Sequence, residues 1–260
     1  MTSEQHMLAV LRRLPLLACL LLATGCASST DGLRQPQTYT APYDTSEGNL
    51  LWAVVPLRND SGLSPADTQR VSDEVIASLQ SVRGVTCLPL NRTLDAMRAL
   101  GMNSLDDPED AKALAREMKV DAIVVGSVTA WDPYTPVIGV SLALYALPGP
   151  MFIEARESLD TRWLTYQPTD YQYFPGSGYA TGPASVTSRH LDASDHDTLR
   201  RVRLYAEGRT EPGAPFGWRR YTASMPLFTK FAAHDAVGQL MDHEWIRLAR
   251  DASRETARAR

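Results

Sequence analysis

The sequence predicts an α/β fold: a three-layer-type mixed sheet with crossover helices, plus a C-terminal helical extension. Three observations carry this. Three short apolar runs are separated by segments with helical spacing and clear caps. A fourth apolar segment alternates between large and small residues. The C-terminal stretch from residue 215 keeps helical spacing almost to its end.

Residues 50–57 (LLWAVVPL) form a continuous apolar run of buried-strand type. Residues 58–62 (RNDSG) are a loop. Ser64-Pro65-Ala66-Asp67 then reads as a helix start, with Ser64 at the N-cap and Pro65 in the first turn. Val71, Val75, Leu79 and Val82 share one face, and Gly84 closes the helix. Residues 85–90 are the second strand. Asn91 is the expected cap of a helix ending at Gly101, and Asp107-Pro108-Glu109-Asp110 opens another. Residues 120–131 (VDAIVVGSVTAW) read as a central strand. This order of strands and helices implies parallel pairing through crossovers.

Residues 137–147 place Ile138, Val140, Leu142 and Leu144 on one face and Gly139, Ser141 and Ala143 on the other. Residues 148–150 (PGP) are a turn, with residues 151–158 as an antiparallel return. Residues 159–183 form a Tyr-rich insertion carrying Tyr166, Tyr171, Tyr173 and Tyr179 among Pro and Gly. A loop of that length and composition is a candidate partner-contact surface, or else a cover packed on the sheet. Residues 184–191 are one more strand. Ser194-Asp195-His196-Asp197 caps a further helix, and residues 215–258 are helical with a break near Pro226.

The N-terminus has its own logic. Arg12-Arg13 precedes an apolar run of residues 14–23 (LPLLACLLLA), which is too short to span a bilayer. Ala23-Thr24-Gly25-Cys26 follows and resembles a bacterial lipobox. That resemblance implies cleavage after residue 25 and acylation of Cys26, with palmitate among its chains. Stable anchoring takes more than one chain, which a triacylated cysteine supplies. Ala27, in place of Asp, implies an outer-membrane address facing the periplasm. The expected division is therefore a signal peptide (1–25), a lipidated N-terminus and flexible tether (26–48), an α/β domain (49–193) and a C-terminal helical extension (194–260).

Residues 51–145 resemble the domain of curli-secretion (CsgG-like) lipoproteins and the amino-terminal domain of TolB. The resembling segments are "WAVVPLRNDSG", the helix after it, "LARE", and "VDAIVVGSVTAW". The resemblance implies a fold and no set of active residues. It also fits lipoproteins that activate cell-wall synthases and flagellar-ring lipoproteins.

Hydrophobic content of 44% and charged content of 22% fit a globular chain, and a net charge of -4 argues against nucleic-acid binding. No phosphate-binding glycine loop, nucleophile elbow or zinc-protease motif is present. His190, Asp192 and His196 are the metal candidates, with Asp195 and Asp197 beside them. The alternative is a helix start whose aspartates complement the dipole. Cys87 is either a reactive thiol or a buried strand residue. His234 and His243, nine residues apart on a helix, fall on opposite faces. Trp218-Arg219-Arg220-Tyr221 mixes aromatics with cations. The reading is a non-catalytic binding or envelope-assembly module without cofactor. Its partners are the bilayer, through Cys26, and an envelope protein or a second copy of the chain. A subunit of a secretion or ring assembly and an envelope hydrolase are the alternatives.

Overall fold

The computed structural model describes residues 34–63, 66–149, 151, 182–211 and 213–258, with side chains to residue 253. The signal peptide, Cys26, the Ser64-Pro65 cap, the return strand after residue 151 and the four tyrosines of the insertion lie outside the described residues. The chain divides into two compact units, Met1–Gln35 and Pro36–Arg260. Both hydrophobic clusters are built within the second. That unit therefore carries its own core.

Its elements are β1 (Leu50–Val54), β2 (Arg58–Asn59), α1 (Thr68–Gln80), β3 (Val85–Cys87), α2 (Leu90–Ala99) and α3 (Pro108–Met118). Then come β4 (Ala122–Asp132), β5 (Val137–Ala146), β6 (Ser185–Asp192), α4 (His196–Ala206) and α5 (Met225–Arg258). The sheet order is β3-β1-β4-β5-β6, with β2 also on β4. β1 runs parallel to β3 and β4, while β4, β5 and β6 pair antiparallel.

Local chemistry explains where the boundaries differ from expectation. The run 50–57 splits because Pro56 has no N–H to donate. Val55 makes the last bond, to Val124 O at 2.9 Å, and β2 resumes pairing at Ser127 and Val128. α1 begins at Thr68, because the Asp67 carboxylate accepts from the Arg70 amide at 3.0 Å. α2 starts beside Pro89 with no side-chain cap, so Asn91 lies inside the helix. Asp107 caps α3 as expected, accepting from Glu109 and Asp110 amides. Asp195, and not Ser194, caps α4. Pro226 sits in the first turn of α5, where a missing donor is tolerated, and the interruption falls just before it.

One sheet face carries the large core. Trp52, Val54, Val124, Ile138, Leu142 and Leu144 meet α1 and α5 there, and α4 packs into the same cluster. The alternation of β5 is fully realised: Ile138, Val140, Leu142 and Leu144 are at most 1% exposed. β5 is thus an interior strand, paired on both sides by β4 and β6. α2 and α3 cover the other face around β1 and the start of β4, burying Ala53, Val55, Ile123, Leu114 and Ala115.

The second half of the stretch read as a tether is folded. Ala41 and Tyr43 are buried, and residues 39–41 bond to Arg83 through two 2.9 Å backbone contacts. Tyr39 lies against Gly238 of α5, and the Trp245 indole N–H donates to Thr40 O. The C-terminal helices are a layer of this same unit, with Phe228, Phe231, Ala236 and Leu240 of α5 buried.

Candidate functional site

α1 leads from β1 to β3 on one face of the sheet, and α2 and α3 lead from β3 to β4 on the other. β1 therefore sits at a topological switch point, since the chain leaves β1 toward one face and leaves its neighbour β3 toward the other. That divergence is where open α/β sheets bind ligands. A crevice of about 530 Å³ opens there. Its walls are the loop after β1, α2, residues 103–105, and the exposed face of β4 and β5 at Val125, Ser127, Ser141 and Ala143. Gly126 lets the walls approach. A side chain there would come within 2.5 Å of Ser141 O and 2.8 Å of Leu142 Cδ2.

The crevice is neutral and hydrogen-bonding, on an apolar floor of Val55, Leu94, Met97 and Leu105. The loop at its mouth holds itself together. The Asn59 carboxamide accepts from Ser61 N–H and Oγ and donates to Leu63 O at 2.8 Å. Arg58, the one charged residue lining the crevice among the described residues, makes paired bonds to Asp60 at 3.1 and 3.2 Å. Those bonds, with one from Ser127, hold the Asp60 carboxyl below its ordinary range and hold Arg58 protonated. Ser104 donates to Asp106 at 2.9 Å. Among the described residues no His, Cys, Lys or free carboxylate lines the crevice, and no pairing of nucleophile and base is present there.

The strongly perturbed groups all belong to the opposite, α5 face. Burial raises the Tyr43 hydroxyl, which donates to Glu244 at 2.7 Å. Glu244 is fully buried and also accepts from Ser185 Oγ and from Arg247 at 2.6 Å. Arg247 donates in turn to Met151 O at 2.9 Å. Burial opposes the Arg247 charge, but Glu244 outweighs it and raises the guanidinium. This network ties the N-terminal segment, β6 and residue 151 to α5. It is structural: every member is occupied holding another.

His234 lies among Tyr39 and Tyr205, with ring centroids at 4.7 and 5.0 Å, and burial pushes it down to about 4. His243 points elsewhere, its Nδ1 2.8 Å from Val186 O. The two histidines do face different neighbours. Burial pushes the Cys87 thiol up to about 12, which leaves it unreactive at neutral pH and supports the buried-strand reading.

The metal candidates do not converge. His190 is exposed on β6 and His196 is exposed at the start of α4. Asp192 accepts from Ser194 N–H and Oγ at 2.7 Å, closing the turn between them. Among the described residues no group of three or more His, Cys, Asp or Glu side chains comes together.

No family model matches the chain, and no curated protein matches it. Several solved structures do. Hypothetical protein CT253 from Chlamydia trachomatis is 11% identical, with a TM-score of 0.39, over 75% of this chain and 98% of its own. Lipoprotein GNA1162 from Neisseria meningitidis is 14% identical, with a TM-score of 0.37, over 55% of this chain and 82% of its own. The LpoB C-terminal domain from Salmonella enterica is 15% identical, with a TM-score of 0.34, over 46% of this chain and 78% of its own.

Proposed function

We propose that this chain is a lipid-anchored protein of the bacterial cell envelope that binds a protein partner and catalyses no reaction on it. The observation that carries the binding role is the switch-point crevice, whose walls offer neutral hydrogen-bonding groups over an apolar floor. Such a lining suits an extended peptide segment, which brings amide groups and short side chains. It does not suit proton transfer, since its one ion pair is locked in the charged form.

The envelope role rests on the leader, in which Arg12-Arg13, a short apolar run and Cys26 follow one another. Acylated Cys26 is the anchor, and Ala27 supports an outer-membrane, periplasm-facing position. The CsgG-like and TolB-like pattern of residues 51–145 belongs to the same reading. Tyr166, Tyr171, Tyr173 and Tyr179 supply further partner contact on the strength of their composition alone.

The test is site-specific photo-crosslinking in intact cells. A photoreactive residue in place of Ser127 of the full chain should give one discrete adduct. Adding Ala143→Trp, which fills the crevice, should abolish it. An adduct that survives the filled crevice, or none at all, contradicts the assignment.

A further inference from the structure

The segment 216–221, beside the end of α4, has features that the crevice and the core leave unused. Phe216 is 79% exposed and holds a left-handed backbone at φ 66, unusual for a residue other than glycine. Gly217, at φ 47, follows and opens a 3-10 turn, Gly217–Tyr221. The backbone is thus bent to present a large aromatic ring to solvent. Leu204, on the last turns of α4, is 46% exposed.

Cations lie over the two aromatic rings that follow Phe216 in the turn. The Arg203 and Arg219 guanidiniums both lie over the Trp218 ring, 4.5 and 4.9 Å from its centroid, and Arg220 lies 5.7 Å from that of Tyr221. All three arginines are exposed. No carboxylate pairs with any of them among the described residues. From Arg203 to Tyr221 four arginines stand against two glutamates, Glu207 and Glu211. The fourth, Arg209, donates to Gln37 O at 2.6 Å. The basic, aromatic surface therefore lies where the N-terminal segment joins the body. Gln37 lies eleven positions after Cys26 in sequence, a chain length of at most about 40 Å.

We propose that residues 216–221, with Arg203, form a membrane-contact element that seats the body on an anionic lipid surface. Phe216 enters the headgroup region, Trp218 lies at its level, and Arg203, Arg219 and Arg220 meet lipid phosphates. An exposed aromatic ring followed by Trp and Tyr rings that carry arginines is the composition that interfacial contact requires. That the surface is the one bearing the protein's own anchor rests on the Cys26 reading. The lipid-binding chemistry does not.

The test uses the unacylated chain from residue 27 onward, which retains the whole second unit and whose cooperative melting is checked first, and sedimentation with vesicles. It should bind phosphatidylglycerol-containing vesicles, lose binding as salt rises, and ignore pure phosphatidylcholine. Arg219→Gln with Arg220→Gln should weaken binding by about 25-fold, at about 5-fold for each charge. Phe216→Ser should weaken it several-fold while leaving the melting temperature unchanged. Equal binding to neutral vesicles, or wild-type binding by both variants, overturns the proposal. So does binding to soluble polyphosphate as tight as to vesicles with no effect of Phe216→Ser, since that is a charge site without a membrane. Because this chain carries no acyl group, failure here leaves the anchor to be judged by acylation of Cys26 alone.

Discussion

Gly238 owes its place on α5 to Tyr39. A β-carbon at 238 would overlap the tyrosine ring. Alanine is the better helix former by about 1 kcal/mol, so helix propensity alone predicts that Gly238→Ala stabilises. Packing predicts the reverse, by about 1–3 kcal/mol, because the ring must leave its groove. Denaturant unfolding decides between them. The double change Gly238→Ala with Tyr39→Ala should recover part of the loss, and strict additivity would contradict the contact. Two titrating groups on the same helix make a second case. Burial, with Arg209 adding, pushes His234 down to about 4 from 6.5. Burial, with Asp235 adding and Arg189 opposing, pushes Asp242 up to about 6 from 3.8. The His234 contribution to stability is present above 6.5 and lost as pH falls through 4. The Asp242 contribution is present below 3.8 and lost as pH rises through 6. Between pH 4 and 6 the two slopes oppose. Asp242→Asn removes one, so the stability of the variant relative to wild type should rise with pH by up to about 1.4 kcal/mol per unit. Parallel pH profiles for the two proteins would show the groups do not titrate this way.

At the scale of elements, periodicity was the legible signal and termini were not. Val71, Val75 and Leu79 of α1 are all fully buried, as their spacing demands, and β5 buries the large half of its alternation. The starts of α1 and α4 differ from expectation because a cap is a single hydrogen bond, made by Asp67 in one helix and by Asp195, beside Ser194, in the other. β1 stopped early for a reason visible in the sequence, the missing donor of Pro56. α5 was readable as a helix, but its role was not, since nothing local shows that Phe228 and Leu240 cover the same sheet face as α1. Two changes test the layer arrangement. Val124→Asp places an unpaired carboxylate in β4, where the side chain is 0% exposed, and should cost more than about 3 kcal/mol. Ending the chain at residue 224 strips the large core of its α5 wall and should abolish cooperative thermal melting. A truncated chain that still melts cooperatively would show α5 to be an appendage.

Across the whole molecule, the site was the least legible part. Its walls come from residues spread between 55 and 143, and they are serines, asparagines, an arginine and apolar residues that form no motif. Only the topology, with β1 between two strands reached by opposite crossovers, brings them together. The residues that did look chemical, such as Cys87, His190, Asp192 and His196, have ordinary structural duties or none in common. The folded N-terminal segment also changes the geometry of anchoring. Tyr39 to Tyr43 belong to the body, so part of the segment read as a tether is folded.

Both the envelope location and the orientation of the basic surface depend on acylation of Cys26. Growth with labelled palmitate tests it most directly. The wild-type chain should incorporate label, and Cys26→Ser should incorporate none and accumulate as an uncleaved or soluble form. Equal label in the two proteins would contradict the account.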